Sequence, residues 1–361
     1  MITIAQPLLD ETEITRVGDV IRSGTIADGP EVRKFEREFA AYCDTAHGIA
    51  TSNGTTALHA ALSSLGIGVG DRVLTTPFSF IATANAIKHV GAEPVFADID
   101  PTTYNLDPDS ARDVATETQV DAIIVVHLYG LPAEMDAFVE LADDLEVPLI
   151  EDAAQAHGAR YDGQPVGTFG DAACFSFYPT KNMTTGEGGI VLTDQPRLAE
   201  RVRQFINHGR EQTGTYEHST VGYNFRMTSL AAAIGRVQLE RLPGFVDRRR
   251  ENATRLSAGL SDTDLVLPVE SPPAKHAFHQ YTVRVRSHDR TALADHLADH
   301  DIGSGVYYPT CIHDQPAYDE IDADAPIAEQ AARDVLSLPV HPSVSDAEIA
   351  QISTVITQYL T

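Results

Sequence analysis

The residue best suited to covalent chemistry in this sequence is Lys181. It follows the apolar run 171–177, which predicts a buried strand, and it comes just after Pro179. Burial lowers the pKa of a lysine, and the resulting free amine is a nucleophile that can form an imine with a carbonyl group. Because the chain contains only 4 lysines and uses arginine for its other basic positions, a lysine kept here indicates chemistry. An ordinary lysine in a loop with the glycine-rich run 186–189 is the alternative interpretation.

Two adjacent carboxylates form a second candidate, in residues 147–158 (VPLIEDAAQAHG). Glu151 and Asp152 end an apolar strand, and Gln155 and His157 follow them. Ligands of parallel α/β sheets bind at the carboxyl ends of strands, where a carboxylate can hold a cation, a metal ion or a protonated ring nitrogen. A metal would need further ligands at suitable spacing, and no other carboxylate or histidine cluster stands near. A solvated strand end is the other interpretation.

The third candidate is the turn SNGTT, where a strand-like run meets a helical pattern. Gly54, Thr55 and Thr56 place backbone N–H groups and two hydroxyls at a helix N-terminus, a position that suits a phosphate. The same residues are also typical of an ordinary N-cap. Together with Lys181 and Asp152 they meet the needs of pyridoxal phosphate (PLP). These needs are a phosphate cradle, a carboxylate that keeps the pyridine nitrogen protonated and an amine for the imine.

The pattern of apolar runs predicts an α/β protein whose strands deliver these residues. Alternation of strands and helices in the first half is typical of a mostly parallel sheet with helices on both faces. We predict helices at 9–22, 31–43, 54–65, 80–90, 134–146, 290–299 and 345–359, and strands at 72–76, 94–98, 121–126, 147–150, 171–177, 189–193 and 281–286. A further helical stretch covers 228–260 and is interrupted by Pro243 and Gly244. The pattern changes after it, which predicts a large domain (1–240, with the N-terminal helices) and a small C-terminal α+β domain (241–361).

The charge of the chain argues against several kinds of partner. Its 361 residues include 52 acidic and 26 basic side chains, a net charge of −26, so nucleic acids and anionic membranes would be repelled. The spread of acidic residues and the scarcity of lysine resemble proteins from salt-loving organisms, with an acidic mesophilic protein as the alternative. No run reaches the ~20 apolar residues of a membrane span, and no signal peptide is visible, so we expect a cytoplasmic protein. Three scattered cysteines predict neither disulfides nor a metal site.

Several longer segments resemble the DegT/DnrJ/StrS family of sugar aminotransferases, which have the fold-type I architecture of aspartate aminotransferase. The resemblance covers nearly the whole chain and is strongest in residues 52–87, 126–130, 150–189, 221–228 and 305–318. Its most specific part is the run EDAAQAHG followed by SFYPTKN. The resemblance implies PLP as the cofactor, bound by the large domain.

The resemblance also implies roles for single residues. Lys181 would carry the cofactor and move the proton at the substrate carbon, and Asp152 would pair with the pyridinium nitrogen. Phe80 would stack on the ring, and Gln155 would contact its hydroxyl group. The phosphate would be held by Gly54, Thr55, Thr56 and Ser176, together with Asn224 of the neighbouring subunit. Asn224 therefore implies a homodimer with shared active sites. Segments near the sugar substrate match at Tyr178, Arg210, Tyr307, Tyr308 and His313.

The implied reaction moves an amino group from an amino acid, expected to be L-glutamate, to a nucleotide-linked keto-sugar in surface-glycan or deoxyamino-sugar biosynthesis. Two alternatives stay open, namely a PLP-binding regulatory or scaffold protein without turnover and a PLP-dependent sugar dehydratase. Relatives that act as dehydratases have histidine in place of the lysine, so Lys181 favours transamination. Tyr307 is a departure, because many relatives have histidine there, and packing is the alternative role for Tyr307 and Tyr308.

Overall fold

A computed structural model of the chain describes residues 1–211, 216–270 and 272–360. The strands are β1 (His47–Thr51), β2 (Arg72–Thr75), β3 (Glu93–Phe96), β4 (Ala122–Val126), β5 (Leu149–Asp152), β6 (Arg160–Tyr161), β7 (Gln164–Pro165), β8 (Ala172–Ser176), β9 (Gly189–Thr193), β10 (Ala274–Lys275), β11 (Tyr281–Arg284) and β12 (Val335–Leu338). The α-helices are α1 (Glu11–Ser23), α2 (Pro30–Tyr42), α3 (Gly54–Leu65), α4 (Ala82–His89), α5 (Pro108–Glu117), α6 (Met135–Leu145), α7 (Pro196–Phe205), α8 (Ser229–Leu260), α9 (Arg290–Asp299), α10 (Pro326–Asp334) and α11 (Asp346–Leu360).

A seven-stranded sheet with the order β1-β9-β8-β5-β4-β2-β3 forms the centre of the molecule. Strand β9 runs antiparallel to both β1 and β8, and the other four pairings are parallel. Six strands therefore point the same way, and their carboxyl ends share one edge. The predicted α/β class with a mostly parallel sheet is confirmed. Asp152 and Ser176, the last residues of β5 and β8, stand at this edge.

Side-chain alternation along the strands explains why helices cover both faces of the sheet. Successive side chains of a strand point to opposite faces. In β4, Ile124 packs in one cluster with residues of α3, α4 and α7, whereas Ile123 and Val125 pack in another with α5 and α6. Helix α2, through Phe35 and Phe39, and helix α8, through Leu239 and Leu242, complete the second face. Strands that are apolar on both faces are stable only between two layers of helices.

Helix α8 differs from the sequence prediction because it continues without interruption through Pro243. A proline inside a helix removes one backbone hydrogen bond and costs about 3 kcal/mol. Leu242 and Val246, on either side of the proline, are buried in the large core, and this packing holds the helix together. The prediction of an interruption at Pro243 and Gly244 was therefore wrong.

The second half of α8 belongs to a separate apolar core. Ala253, Leu256 and Leu260 pack with residues of α9, α11 and the antiparallel pair β11–β12. Ile2 reaches the same core and bridges to Ile302, while α1 and α2 contact α8 and form salt bridges with Arg241 and Arg236 in its first half. Buried apolar residues of α8 up to Val246 thus pack in the core of the large sheet, and those from Ala253 onward pack in the second core. The division into domains 1–240 and 241–361 remains a prediction.

The described ranges contain neither a candidate membrane span nor a metal-binding cluster. Within them, no helix is long and apolar enough to cross a bilayer. The same residues contain no group of three or more His, Cys, Asp or Glu side chains placed to hold a metal ion. The pair Glu151 and Asp152 therefore needs another explanation, which the geometry of β5 supplies.

Candidate active site

The carboxyl edge of the sheet opens into a cavity of about 500 Å³. Strand ends, the start of α3, the turn before α4 and the loop after β8 form its walls, and residues 307 and 308 reach it from the C-terminal part of the chain. It brings together most of the residues predicted from sequence. These are Gly54, Thr55, Phe80, Asp152, Gln155, Ser176, Tyr178, Lys181, Tyr307 and Tyr308.

Asp152 faces this cavity with both carboxylate oxygens hydrogen bonded. The hydroxyl of Thr83 donates to Oδ2 at 2.8 Å, and the backbone N–H of Ala154 donates to Oδ1 at 3.2 Å. Burial raises the pKa of Asp152, and these two hydrogen bonds and the charge of Lys181 oppose the rise. The site thus holds a buried carboxylate that, when ionised, can pair with a cation.

Glu151, the neighbouring carboxylate, points to the other face of β5 and has a structural role. It accepts hydrogen bonds from the N–H groups of Gly167, Phe169 and Gly170 at 2.7–3.0 Å. His127 Nδ1 accepts from Ala133 N–H, so its Nε2 carries the proton and donates to Glu151 Oε2 at 3.0 Å. The period-2 geometry of a strand separates the two acids, one for the cavity and one for the core.

Lys181, in the loop that follows β8, lines the same cavity as Asp152. Its backbone N–H donates to the carbonyl of Tyr178, which tightens the loop, and its remaining accessible surface faces the cavity. Enclosure by protein lowers the pKa of Lys181 to about 8, and the charge of Asp152 limits the fall. About a tenth of the amine is therefore unprotonated at pH 7, far more than for an ordinary lysine, and the unprotonated amine is the nucleophile.

The N-terminus of α3 lies close to the end of β8. The Asn53 side chain accepts from Thr56 N–H at 2.9 Å, and the Thr56 hydroxyl bonds back to Asn53 N–H in a capping box. The first N–H groups of a helix have no partner within it, and Gly54 and Thr55 present theirs at the cavity. A Cβ at Gly54 would lie 2.8 Å from Ser176 Cβ, so only glycine allows this approach.

Gln155, Tyr307 and Tyr308 line the cavity, and hydrogen bonds to Tyr129 and between Gln155 and Tyr308 hold them in place. Gln155 Oε1 accepts from Tyr129 N–H at 2.8 Å, and its Nε2 donates to the Tyr308 hydroxyl at 3.2 Å. The Tyr129 hydroxyl in turn donates to the carbonyl of Tyr307. Phe80 lies 6.0 Å from the Tyr308 ring, centroid to centroid, and is 54% exposed. An aromatic face is thus left open to the cavity.

Four predicted residues do not line the cavity in this chain. The Thr56 hydroxyl and N–H are used in the capping box, as in an ordinary N-cap. His313 is buried beside Phe96, with the carboxylates of Asp314 and Glu329 at 3.7 Å. The other two are Arg210, whose guanidinium lies over the Tyr216 ring, and Asn224, which is exposed and bridges to Asn207.

The cavity also contains residues that the sequence analysis did not select. Ser79 and Thr83 come from the segment around Phe80, and His279 and Gln280 come from the chain just before β11. His279 is buried with a pKa well below the usual value, chiefly because burial disfavours its charged form. Their signal in the sequence was slight, since single hydroxyls in a helical pattern and a histidine in a loop-like segment are common.

His157, which follows Asp152 in the sequence, belongs to the core rather than to the cavity. Its ring lies 5.3 Å from that of Phe175 and 5.6 Å from that of Phe177, and burial lowers its pKa to about 3. It is therefore a neutral packing residue.

The fold and the paired lysine and carboxylate are those of a PLP-dependent aminotransferase. The chain matches the model of the DegT/DnrJ/EryC1/StrS aminotransferase family over residues 7–357 and belongs to this family. It is 42% identical to the pleiotropic regulatory protein of Geobacillus stearothermophilus (93% of this chain and 91% of that protein covered). It is 40% identical to UDP-N-acetyl-3-dehydro-alpha-D-glucosamine 3-aminotransferase of Acidithiobacillus ferrooxidans (98% and 95% covered). The solved structure of S. venezuelae DesV, in complex with a ketimine intermediate, has a TM-score of 0.93 at 38% identity, covering 99% of each chain.

PLP is the cofactor of this family, and similar solved structures include PLP and PMP forms. The residues present fit it. Gly54 leaves beside Ser176 the space that a Cβ would fill, Asp152 offers a buried carboxylate, and Lys181 offers an amine of lowered pKa.

Proposed function

We propose that this chain transfers an amino group from an amino acid, with L-glutamate as the donor, to the keto group of a nucleotide-linked sugar. The product would serve surface-glycan or deoxyamino-sugar biosynthesis. The observation that carries the proposal is the presence of Lys181 and Asp152 in one cavity at the carboxyl edge of the sheet. The similarity to an enzyme named for a UDP-linked amino sugar supports a nucleotide-sugar acceptor.

The roles of the residues follow from their chemistry. Bound PLP supplies an electron sink for the carbon that carries the amino group. In our proposal Asp152 keeps the ring nitrogen protonated, and Phe80 lies against the ring. Gly54, Thr55 and Ser176 would hold the phosphate, since two of them stand at a helix N-terminus.

Lys181 would act twice, first as the amine that anchors the cofactor and then as the base and acid at the substrate carbon. A general base works best when its pKa lies near the operating pH, and the pKa of about 8 meets this condition. Asp152 is the acidic group that raises the pKa of Lys181, so the same carboxylate would hold the ring and adjust the base.

The acceptor sugar would bind at the open side of the cavity. Tyr178 is 49% exposed, and Tyr307, which is partly buried, lines the same cavity. An aromatic face can pack on a sugar ring, and a tyrosine hydroxyl can form hydrogen bonds with the hydroxyl groups of the sugar. Arg210 and His313 do not reach the cavity from within this chain, and a role for either would require another subunit or a movement.

We further propose a homodimer in which each subunit completes the site of the other. Asn224, matched to a phosphate contact, lies outside the cavity of its own chain. Val221 and Tyr223 next to it are exposed by 92% and 44%. Apolar side chains on an exposed polar segment are typical of an interface. Sedimentation velocity would test the dimer, and mixing inactive Lys181→Ala with inactive Asn224→Asp subunits should restore part of the activity.

The three described cysteines are buried free thiols, as expected in a reducing compartment, and we propose a cytoplasmic location. We also infer adaptation to high salt from the charge of −26.

The regulatory alternative is supported by one of the relatives, which is named a pleiotropic regulatory protein. A regulator without turnover would not need an amine of lowered pKa facing a buried carboxylate. The dehydratase alternative shares the cofactor with our proposal, so only the products can separate the two.

The test is a half-reaction with purified protein, PLP and L-glutamate in high salt. We expect a change in the cofactor absorbance and about one 2-oxoglutarate per site, and then an aminated sugar when keto-sugar nucleotides are supplied. Lys181→Ala should lose both reactions, whereas Lys88→Ala, an exposed lysine, should keep them. PLP binding without glutamate turnover would support a regulator, a deoxygenated sugar would support a dehydratase, and absence of PLP binding would overturn the proposal.

A further inference from the structure

Two hydroxyl groups form a chain that ends on Asp152. The Thr83 hydroxyl donates to Asp152 Oδ2 at 2.8 Å, and Ser79 Oγ lies 3.0 Å from Thr83 Oγ1. Because Thr83 gives its only hydroxyl proton to the carboxylate, its oxygen accepts the proton of Ser79. All three residues are at least 95% buried, with relative exposures of 4% for Ser79, 1% for Thr83 and 5% for Asp152.

The two hydroxyl groups counteract the main energetic cost of the site, which is the burial of the Asp152 charge. Removing a carboxylate from water favours its neutral form. Burial is the largest influence on the pKa of Asp152, and the Thr83 hydrogen bond is the largest influence in the opposite direction. A neutral Asp152 could not pair with a protonated ring nitrogen, so Thr83 protects the form of the acid that the site requires.

Thr83 also fixes the orientation of the carboxylate. Its hydroxyl holds one oxygen, while the N–H of Ala154 holds the other. The donors come from different parts of the sheet edge, α4 and the turn after β5, so the Asp152 side chain cannot rotate without losing one of them. Phe80 is in the turn that leads into α4, and Thr83 N–H donates to its carbonyl.

We propose that Thr83, oriented by Ser79, is a positioning residue that keeps Asp152 ionised and directed into the cavity for the ring nitrogen of PLP. This inference rests on the proposed function, because it assumes that the cavity binds PLP.

The other charged and titratable groups near Asp152 are Lys181 from the loop after β8, His127 from the end of β4, Cys174 from β8 and Tyr308. Substitution of Thr83 changes none of them. A change in the pH dependence of PLP binding can therefore be assigned to the lost hydrogen bond.

The test measures the dissociation constant of PLP by cofactor absorbance in the wild type, Thr83→Val, Thr83→Ser and Ser79→Ala, between about pH 5.5 and pH 8.5. Valine keeps the volume of threonine and removes the hydroxyl, and serine keeps the hydroxyl. At the acid end we expect Thr83→Val to bind PLP about tenfold or more weakly than the wild type, the usual effect of losing a hydrogen bond to a charged group. Its binding curve should move to higher pH, because the pKa of Asp152 rises further.

Thr83→Ser should follow the wild type, and Ser79→Ala should show a smaller displacement in the same direction as Thr83→Val. If Thr83→Val does not fold, Ser79→Ala still tests the chain, because it leaves Thr83 in place. A Thr83→Val curve that coincides with the wild type, or one that is weaker by the same factor at every pH, would overturn the inference. Wild-type protein that takes up no PLP would instead overturn the proposed function.

Discussion

Gly54 and Ser176 approach so closely that a Cβ at residue 54 would stand 2.8 Å from the Cβ of Ser176. Real Cβ atoms do not pack at this distance, so Gly54→Ala must move the start of α3 away from β8. We expect PLP affinity to fall by about tenfold or more, since the N–H groups at the phosphate position would be displaced. Equilibrium dialysis with PLP measures the change.

The double variant Gly54→Ala with Ser176→Gly removes the clashing Cβ and provides the control. Because Ser176 is also a proposed phosphate contact, the double variant is compared with Ser176→Gly alone. If steric contact is the cause, Gly54→Ala should lower the PLP affinity less in the Ser176→Gly background than in the wild type. An equal loss in both backgrounds would show that the close approach is not what makes glycine necessary.

Lys181→Arg keeps a positive charge but cannot form an imine. We expect kcat to fall by at least about 10²–10⁴-fold, the range for loss of a general base, with the loss of the nucleophile added to it. Borohydride reduction followed by peptide mass spectrometry should find the cofactor attached to residue 181 in the wild type and to no residue in the variant. Attachment at another lysine in the wild type would contradict the assignment.

The pKa of about 8 for Lys181 can be measured without the cofactor. Reactivity of the amine toward acetic anhydride follows its unprotonated fraction, so it should rise through about pH 8, with the exposed Lys88 as an internal reference. The charge of Asp152 raises this pKa, and Asp152→Asn should therefore move the rise to lower pH. If the pH at which the reactivity rises stays the same or increases in Asp152→Asn, the charge of Asp152 does not raise the pKa of Lys181.

Substitution of Glu151 is expected to change the stability of the fold rather than catalysis. Glu151→Ala leaves three backbone N–H groups and His127 Nε2 without their acceptor in the core. We expect the free energy of unfolding to fall by about 3 kcal/mol or more, measured by denaturant titration. Glu117→Ala, at an exposed position of α5, should change it by less than about 0.5 kcal/mol. A loss for Glu151→Ala similar to that of this control would refute the structural role.

The net charge of −26 predicts that salt stabilises the fold. Self-repulsion of like charges opposes compaction, and the screening length falls from about 10 Å at 0.1 M salt to about 3 Å at 1 M. We expect the Tm to rise by on the order of 5 °C over this range of KCl, and to rise less in sucrose of equal osmolality. A Tm that is flat or falls with KCl would favour an ordinary acidic protein over a halophilic one.

Much of the fold could be predicted because the apolar patterns were strong. The runs 121–126 and 189–193 are buried along their whole length or nearly so and became β4 and β9. Helix α5 was missed because its apolar residues, Ala111, Val114 and Ala115, are few and mostly small, although their spacing is helical, and Ala111 is its only buried residue. Helices α7 and α10, which also begin with proline, and strand β12 were missed as well.

The sequence by itself determined which side chains were available for chemistry. A rare lysine after an apolar strand, a carboxylate at a strand end and a glycine at a helix start are local features, and each is recognisable from its neighbours in the sequence. Residues 181, 152 and 54 could therefore be selected without knowing their separation in space.

Only the tertiary structure decided how neighbouring candidates divide their roles. Glu151 and Asp152 are equivalent candidates in the sequence, because both are carboxylates at the end of one strand. Side-chain alternation along the strand places Glu151 in the core and Asp152 at the cavity. Thr83 supports Asp152 from 69 positions away. A hydrogen bond between distant residues depends on how strands and helices pack, which no local pattern of residues contains.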